Sequence, residues 1–225
     1  MGKHFSLTAE DKFQLGAYRA DPAGSAQGGI VVIQEIFGVN HHIRAVCDRL
    51  AAVGYAAVAP ALFDRQVKDF ESGYSADEIA NARKFIANPD WGAMMRDTQA
   101  AINELKAFGP VGIMGFCMGG TVAFLAACRA NGLSAAVAYY GGQIAKHADE
   151  KPKCPVLMHF GETDEAIPMS DVETIKSKRG GDSEIYVYPS AGHGFHCDER
   201  GSFHEPSAKL AWQRSMDFLK KHMKK

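Results

Sequence analysis

No apolar run in this chain approaches the roughly 20 residues that a membrane-spanning helix needs. The opening stretch, MGKHFSLTAEDKFQLG, has neither an apolar core nor a small-residue cleavage site, so a secretory leader is not expected. Cysteine is sparse. The five residues Cys47, Cys117, Cys128, Cys154 and Cys197 are odd in number and widely spaced, which argues against a disulfide framework. There is no CxxC pair and no HExxH spacing, so no metal and no cofactor is expected. Lysine and arginine (25) barely balance aspartate and glutamate (26), leaving no basic excess for nucleic acid. Repeats, low-complexity tracts and linker-like segments are also missing. Free thiols survive in reducing surroundings, so the expected location is the cytoplasm and the expected partner is a small molecule rather than nucleic acid or membrane.

What is present is an alternation of β-branched runs and helical patterns. With 225 residues, 46% of them hydrophobic, the chain can bury a substantial core, and one domain over residues 1–225 is expected. Strands are predicted at 13–19, 28–34, 55–59, 111–114, 135–140, 156–160 and 184–188. Helices are predicted at 43–53, 75–87, 90–108, 118–130, 171–178 and 205–222, with a long loop over 62–74. Ser75 and Glu78 have capping-box spacing. Strands that alternate with helices imply an α/β fold with a mostly parallel sheet covered on both faces, and chemistry on loops at the carboxyl ends of its strands.

One of those loops is Gly115-Phe116-Cys117-Met118-Gly119-Gly120, between a strand and a helix. It has the G-x-nucleophile-x-G form of a nucleophile elbow, with cysteine where serine is usual. Such a turn is too tight for side chains two residues before and after the nucleophile, which accounts for Gly115 and Gly119. A helix N-terminus favours a thiolate at Cys117, and the Met118 N–H is available as an oxyanion donor. In this fold an acid and then a histidine follow the nucleophile in the chain. Asp164 directly follows the strand at 156–160, whereas Glu162 is too close to the strand end and Asp171 reads as a helix cap. His193, between Gly192 and Gly194, follows the last strand and precedes the last helix. His159, in an apolar strand, reads as a satisfied core residue. His41 and His42, at a helix start, are expected to face solvent or the loop after the second strand. Cys117 would then be the nucleophile, His193 the base and Asp164 its orienter.

These segments resemble the dienelactone hydrolase (carboxymethylenebutenolidase) family of the α/β-hydrolase fold. The resemblance runs through Gln34-Glu35-Ile36-Phe37-Gly38-Val39-Asn40, Tyr55–Pro60, Gly112–Gly120, Gly161–Asp164 and Ala191–Phe195. It implies hydrolysis of an enol-lactone or carboxylic ester through a thiol ester. It also implies a part for Glu35 in activating Cys117, and the Ile36 N–H as second oxyanion donor. There is one departure: the family's carboxylate-holding arginine, four residues past the histidine, is here Cys197. Arg200, Arg83 and Arg65 are the candidates to replace it, and Arg83, Arg200 and Phe37 are the expected substrate contacts. The missing arginine leans toward the alternative of a broader carboxylesterase or thioesterase. A non-catalytic binding protein and a thiol redox enzyme are the other classes weighed. The filled positions 35, 117, 164 and 193 oppose the first, and the lack of a sequence-adjacent resolving cysteine opposes the second.

Overall fold

The computed structural model describes residues 2–224. Eight strands form one sheet: β1 (Lys3–Thr8), β2 (Gln14–Ala20), β3 (Gly29–Ile33), β4 (Ala56–Pro60), β5 (Val111–Phe116), β6 (Leu133–Tyr139), β7 (Val156–Gly161) and β8 (Ser183–Tyr188). Their spatial order is β1-β2-β4-β3-β5-β6-β7-β8. β1 and β2 are antiparallel, to each other and, for β2, to β4, whereas every pair from β4 to β8 is parallel. The parallel strands β3, β4, β5 and β7 are buried along their whole length, as expected where helices cover both faces.

The helices are α1 (His41–Ala52), α2 (Ala76–Ala82), α3 (Trp91–Leu105), α4 (Met118–Arg129), α5 (Ile144–His147), α6 (Met169–Arg179) and α7 (Glu205–His222). Two of them can be assigned to faces from the strands they touch. A Cβ on Gly29 would lie 2.5 Å from Leu105 of α3, and one on Gly112 would lie 3.1 Å from Leu219 of α7. Gly112 is in register with Ile30, the residue after Gly29, and successive residues of a strand point opposite ways. So α3 and α7 cover opposite faces. Arg49 of α1 stacks on Trp212 of α7 at 5.2 Å, which puts those two helices together.

Most elements fall where the sequence predicts them, with differences at the ends. The β1 strand is not foreseen. Its residues alternate weakly and four of the six are exposed, so it carries little apolar signal and forms by pairing with β2. The helix predicted over 75–87 ends as a 3-10 turn at Arg83–Ile86. Its capping box forms: Ser75 Oγ accepts from the Glu78 N–H, and the Glu78 carboxylate accepts from the Ser75 N–H. Asp171 lies in the first turn of α6 and is not its cap, which is Pro168.

His159 is fully buried in β7, with Nδ1 2.8 Å from the Tyr188 hydroxyl and Nε2 2.9 Å from Ser215 Oγ. Burial drives its pKa down to about 3. A depressed imidazole binds its proton in the unfolded chain before it does in the folded one. Stability is therefore lost as pH falls from about 6.5 toward the folded value. Between pH 7.5 and 5.5 His159 alone should cost about 1 kcal/mol. Urea unfolding at those two pH values should show a drop that is smaller by this amount in His159→Gln; equal drops in both proteins would contradict the assignment.

Candidate active site

The strand order reverses at β3. The chain runs from β3 to β4 on one side, and β5 lies on the other. In open α/β sheets such a switch point leaves a crevice at the carboxyl ends of the strands. The loops after β3, β5, β7 and β8 all emerge at that edge. They carry Glu35 and Ile36, Cys117 and Met118, Asp164, and His193 in turn.

Cys117 joins β5 to α4 with φ +55° and ψ −118°. A non-glycine residue held there stores about 1–3 kcal/mol of strain that the surroundings must impose. Those surroundings are close. A Cβ on Gly115 would run into the Gly119 carbonyl, and one on Gly119 would sit 2.5 Å from the carbonyl oxygens of Ile33 and Gln34. Both positions therefore admit only glycine, as the turn requires. Neither the Ile36 N–H, in the loop after β3, nor the Met118 N–H, just past the elbow, has a partner among the described residues.

Cys117 Sγ lies 3.1 Å from His193 Nε2, and His193 Nδ1 lies 2.9 Å from Asp164 Oδ2. The Asp164 side chain is wholly buried. Its other oxygen accepts the Ala166 and Ile167 N–H groups at 2.8 and 3.2 Å, which holds the carboxylate in one orientation. Tyr140 presents its ring edge-on to His193 at 5.2 Å. Burial opposes a charge on His193, but the Cys117 sulfur and the Asp164 carboxylate outweigh it and raise the imidazole above its ordinary range.

Glu35 is fully buried and pairs through Oε1 with Arg200 Nη1 at 3.1 Å. The Arg200 guanidinium lies over Phe37 and Tyr74, 5.4 and 5.7 Å from the ring centres. Cys197 is buried, donates to the Tyr74 hydroxyl at 3.3 Å, and has its thiol pKa pushed up to about 12, chiefly by burial.

Cys117, His193, Met118, Ile36, Phe37, Arg83 and Arg200 all line one cavity of about 480 Å³. Arg65 does not. It is held by Asp11 of the β1–β2 turn and Asp97 of α3 and is not part of the cavity lining, so it is not a substrate-binding candidate. His42 also departs from expectation. It is fully buried, with its ring 5.9 Å from Phe116 and 6.2 Å from His196, while His41 stays exposed beside Glu199. The HHI start of a helix gives no hint of which histidine turns inward. Sequence reasoning also missed Gln143 and Lys146 in the cavity wall, because α5 is a single turn with no periodic signal, and Trp91, which starts α3 and is brought to the cavity only by packing. Three cations, Arg83, Lys146 and Arg200, reach this cavity, and no carboxylate side chain lines it among the described residues.

The raised imidazole has a definite sign. Its contribution from the sulfur and the carboxylate is present below the ordinary histidine range and is lost as pH rises through the elevated value. NMR titration of the His193 ring should give a midpoint above ~6.5 in the unmodified protein and a lower one in Cys117→Ala. An unchanged midpoint in the variant would show that sulfur and ring do not interact.

The family described as the dienelactone hydrolase family matches residues 15–223. The carboxymethylenebutenolidase of Pseudomonas putida is 32% identical, over 95% of this chain and 94% of that protein. A Synechocystis protein is 36% identical over 94% of this chain and 93% of its own. A crystal structure from Klebsiella pneumoniae superposes with a TM-score of 0.84 at 30% identity, covering 98% of this chain and 99% of that one. No helix among the described residues is long and apolar enough to cross a membrane. With the elbow, the sheet order and these likenesses in agreement, the chain belongs to the dienelactone hydrolase family of ester and lactone hydrolases.

Proposed function

We propose that the chain, acting as one domain over residues 1–225 in a reducing cytoplasm, hydrolyses small enol-lactones that carry a carboxylate. The dienelactone-to-maleylacetate reaction is the type. The observation that carries this reading is the Cys117–His193–Asp164 chain of contacts at 3.1 and 2.9 Å, on a strained elbow that opens into a cationic cavity.

In this reading the Cys117 thiolate attacks the lactone carbonyl carbon. The S–C bond forms as the carbonyl π pair moves to oxygen. The Ile36 and Met118 N–H groups hold that oxyanion, and each such donor is worth about 10²–10³ in rate. Collapse breaks the ring C–O bond and leaves an enolate, protonated by the His193 imidazolium. His193, now neutral, takes a proton from water as its oxygen attacks the thiol ester. The C–S bond breaks, the product acid departs, and the thiolate–imidazolium pair is restored. Asp164 keeps the ring in the required tautomer and favours its charged form. Glu35 participates in preparing Cys117, under the control of its Arg200 partner.

Substrate recognition falls to Arg83 and Arg200, with Phe37 supplying an apolar wall. Arg200 stands in for the arginine missing at position 197, reaching the same crevice from three residues further along the chain. This favours the carboxylate-bearing lactone over the broader carboxylesterase or thioesterase alternative.

Steady-state hydrolysis of cis-dienelactone and p-nitrophenyl acetate tests the reading. The lactone should show the far higher kcat/KM. Loss of one charged hydrogen bond costs about 1.5–3 kcal/mol, so Arg83→Met should raise KM for the lactone at least about tenfold more than for the acetate. Turnover of the acetate alone would contradict the lactone assignment and leave a cysteine esterase.

A further inference from the structure

Beside the crevice lies a second cluster of reactive side chains that the hydrolytic steps do not use in full. One ligand atom each from Glu35, His42 and Cys197 lies within 4.8 Å of the other two, and all three residues are buried. Their polar atoms are poorly satisfied. Glu35 Oε2, the oxygen that Arg200 leaves free, has no partner, and neither do the two ring nitrogens of His42. Each buried polar atom left this way costs about 1–3 kcal/mol. Asp198 comes within 3.4 Å of His42 Nδ1 from the surface side, without hydrogen-bond geometry.

We infer that Glu35, His42 and Cys197 form a binding site for a thiophilic divalent cation of the Zn²⁺ class. The donor set is one sulfur, one imidazole nitrogen and one carboxylate oxygen, the combination that suits zinc and not magnesium or calcium. Zinc takes sulfur at about 2.3 Å and nitrogen or oxygen at about 2.0–2.2 Å, so its ligands stand roughly 3.5 Å apart. Closing the present triangle onto an ion takes an inward movement of about 1 Å, within reach of side-chain torsions. Binding exchanges the Cys197 thiol proton for the metal, and that proton leaves to solvent. The thiolate and carboxylate then neutralise the ion, leaving Arg200 as the net local charge. Asp198 is positioned to accept an N–H from the outward nitrogen of His42, the usual support for a metal-bound imidazole. Glu35, His42 and Cys197 are too far apart in the chain for their spacing to read as a metal motif.

The test uses Co²⁺ as a spectroscopic probe on the reduced, metal-free full chain carrying Cys117→Ala, so that the Cys117–His193 pair cannot supply the signal. One equivalent should bind with a near-ultraviolet thiolate-to-cobalt charge-transfer band. Adding Cys197→Ala should abolish the band. Adding His42→Asn should weaken binding by on the order of 100-fold. Circular dichroism monitors the fold of each variant. Should Cys197→Ala fail to fold, His42→Asn decides, together with the same Co²⁺ titration of Cys197→Ser in the Cys117→Ala chain, which should lose the sulfur band. No band in the Cys117→Ala chain, or a band that survives both further substitutions, would overturn the site.

Discussion

Everything at the reactive edge depends on one backbone torsion, the left-handed φ of Cys117. It turns the chain from β5 into α4 so sharply that the thiol stands at the strand end while the first N–H groups of the helix stay unpaired beside it. The turn holds because three backbones meet without side chains between them. Gly115 lies against Gly119, and Gly119 lies against the end of β3. A side chain at Gly119 would press on the end of β3, next to Glu35 and Ile36, and one at Gly115 would press on Gly119 and Gly120. Strain of about 1–3 kcal/mol at one residue is thus held by close backbone packing between β5, α4 and the end of β3.

Around that elbow the charges form two systems separated by role. Asp164, fixed by two N–H donors, faces His193, and His193 faces the sulfur. Glu35 and Arg200 form the other pair, buried under Phe37 and Tyr74. Removing one member of a buried pair is far more costly than keeping both, on the order of 3–5 kcal/mol. Arg200 therefore holds the buried Glu35 charge while it also lines the cavity. A ligand carboxylate can compete with Glu35 for the guanidinium only by replacing the charge that Glu35 supplies.

Much of this was legible in the residues. The β-branched runs marked the buried strands, and the glycine spacing around Cys117 marked the elbow, because in both cases the physics is local: one strand, one turn. Asp164 and His193 were legible because the fold orders acid and histidine along the chain. What was not legible depends on long-range packing. Arg200 is 165 residues from Glu35 in sequence, and nothing near either names the other. His42 could not be told from His41, since which one turns inward is decided by Phe116 and His196. The β1 strand escaped notice because its stability comes from β2 and not from its own pattern.

The central claim is that the acyl group passes through the sulfur of Cys117. Rapid acid quench of the protein during turnover of p-nitrophenyl acetate, followed by peptide mass mapping, addresses it directly. The account predicts an acetyl adduct on the peptide containing Cys117, formed within the first turnover and absent from Cys117→Ala. Acetyl found on another residue, or turnover that persists in the variant with no adduct at position 117, would contradict it.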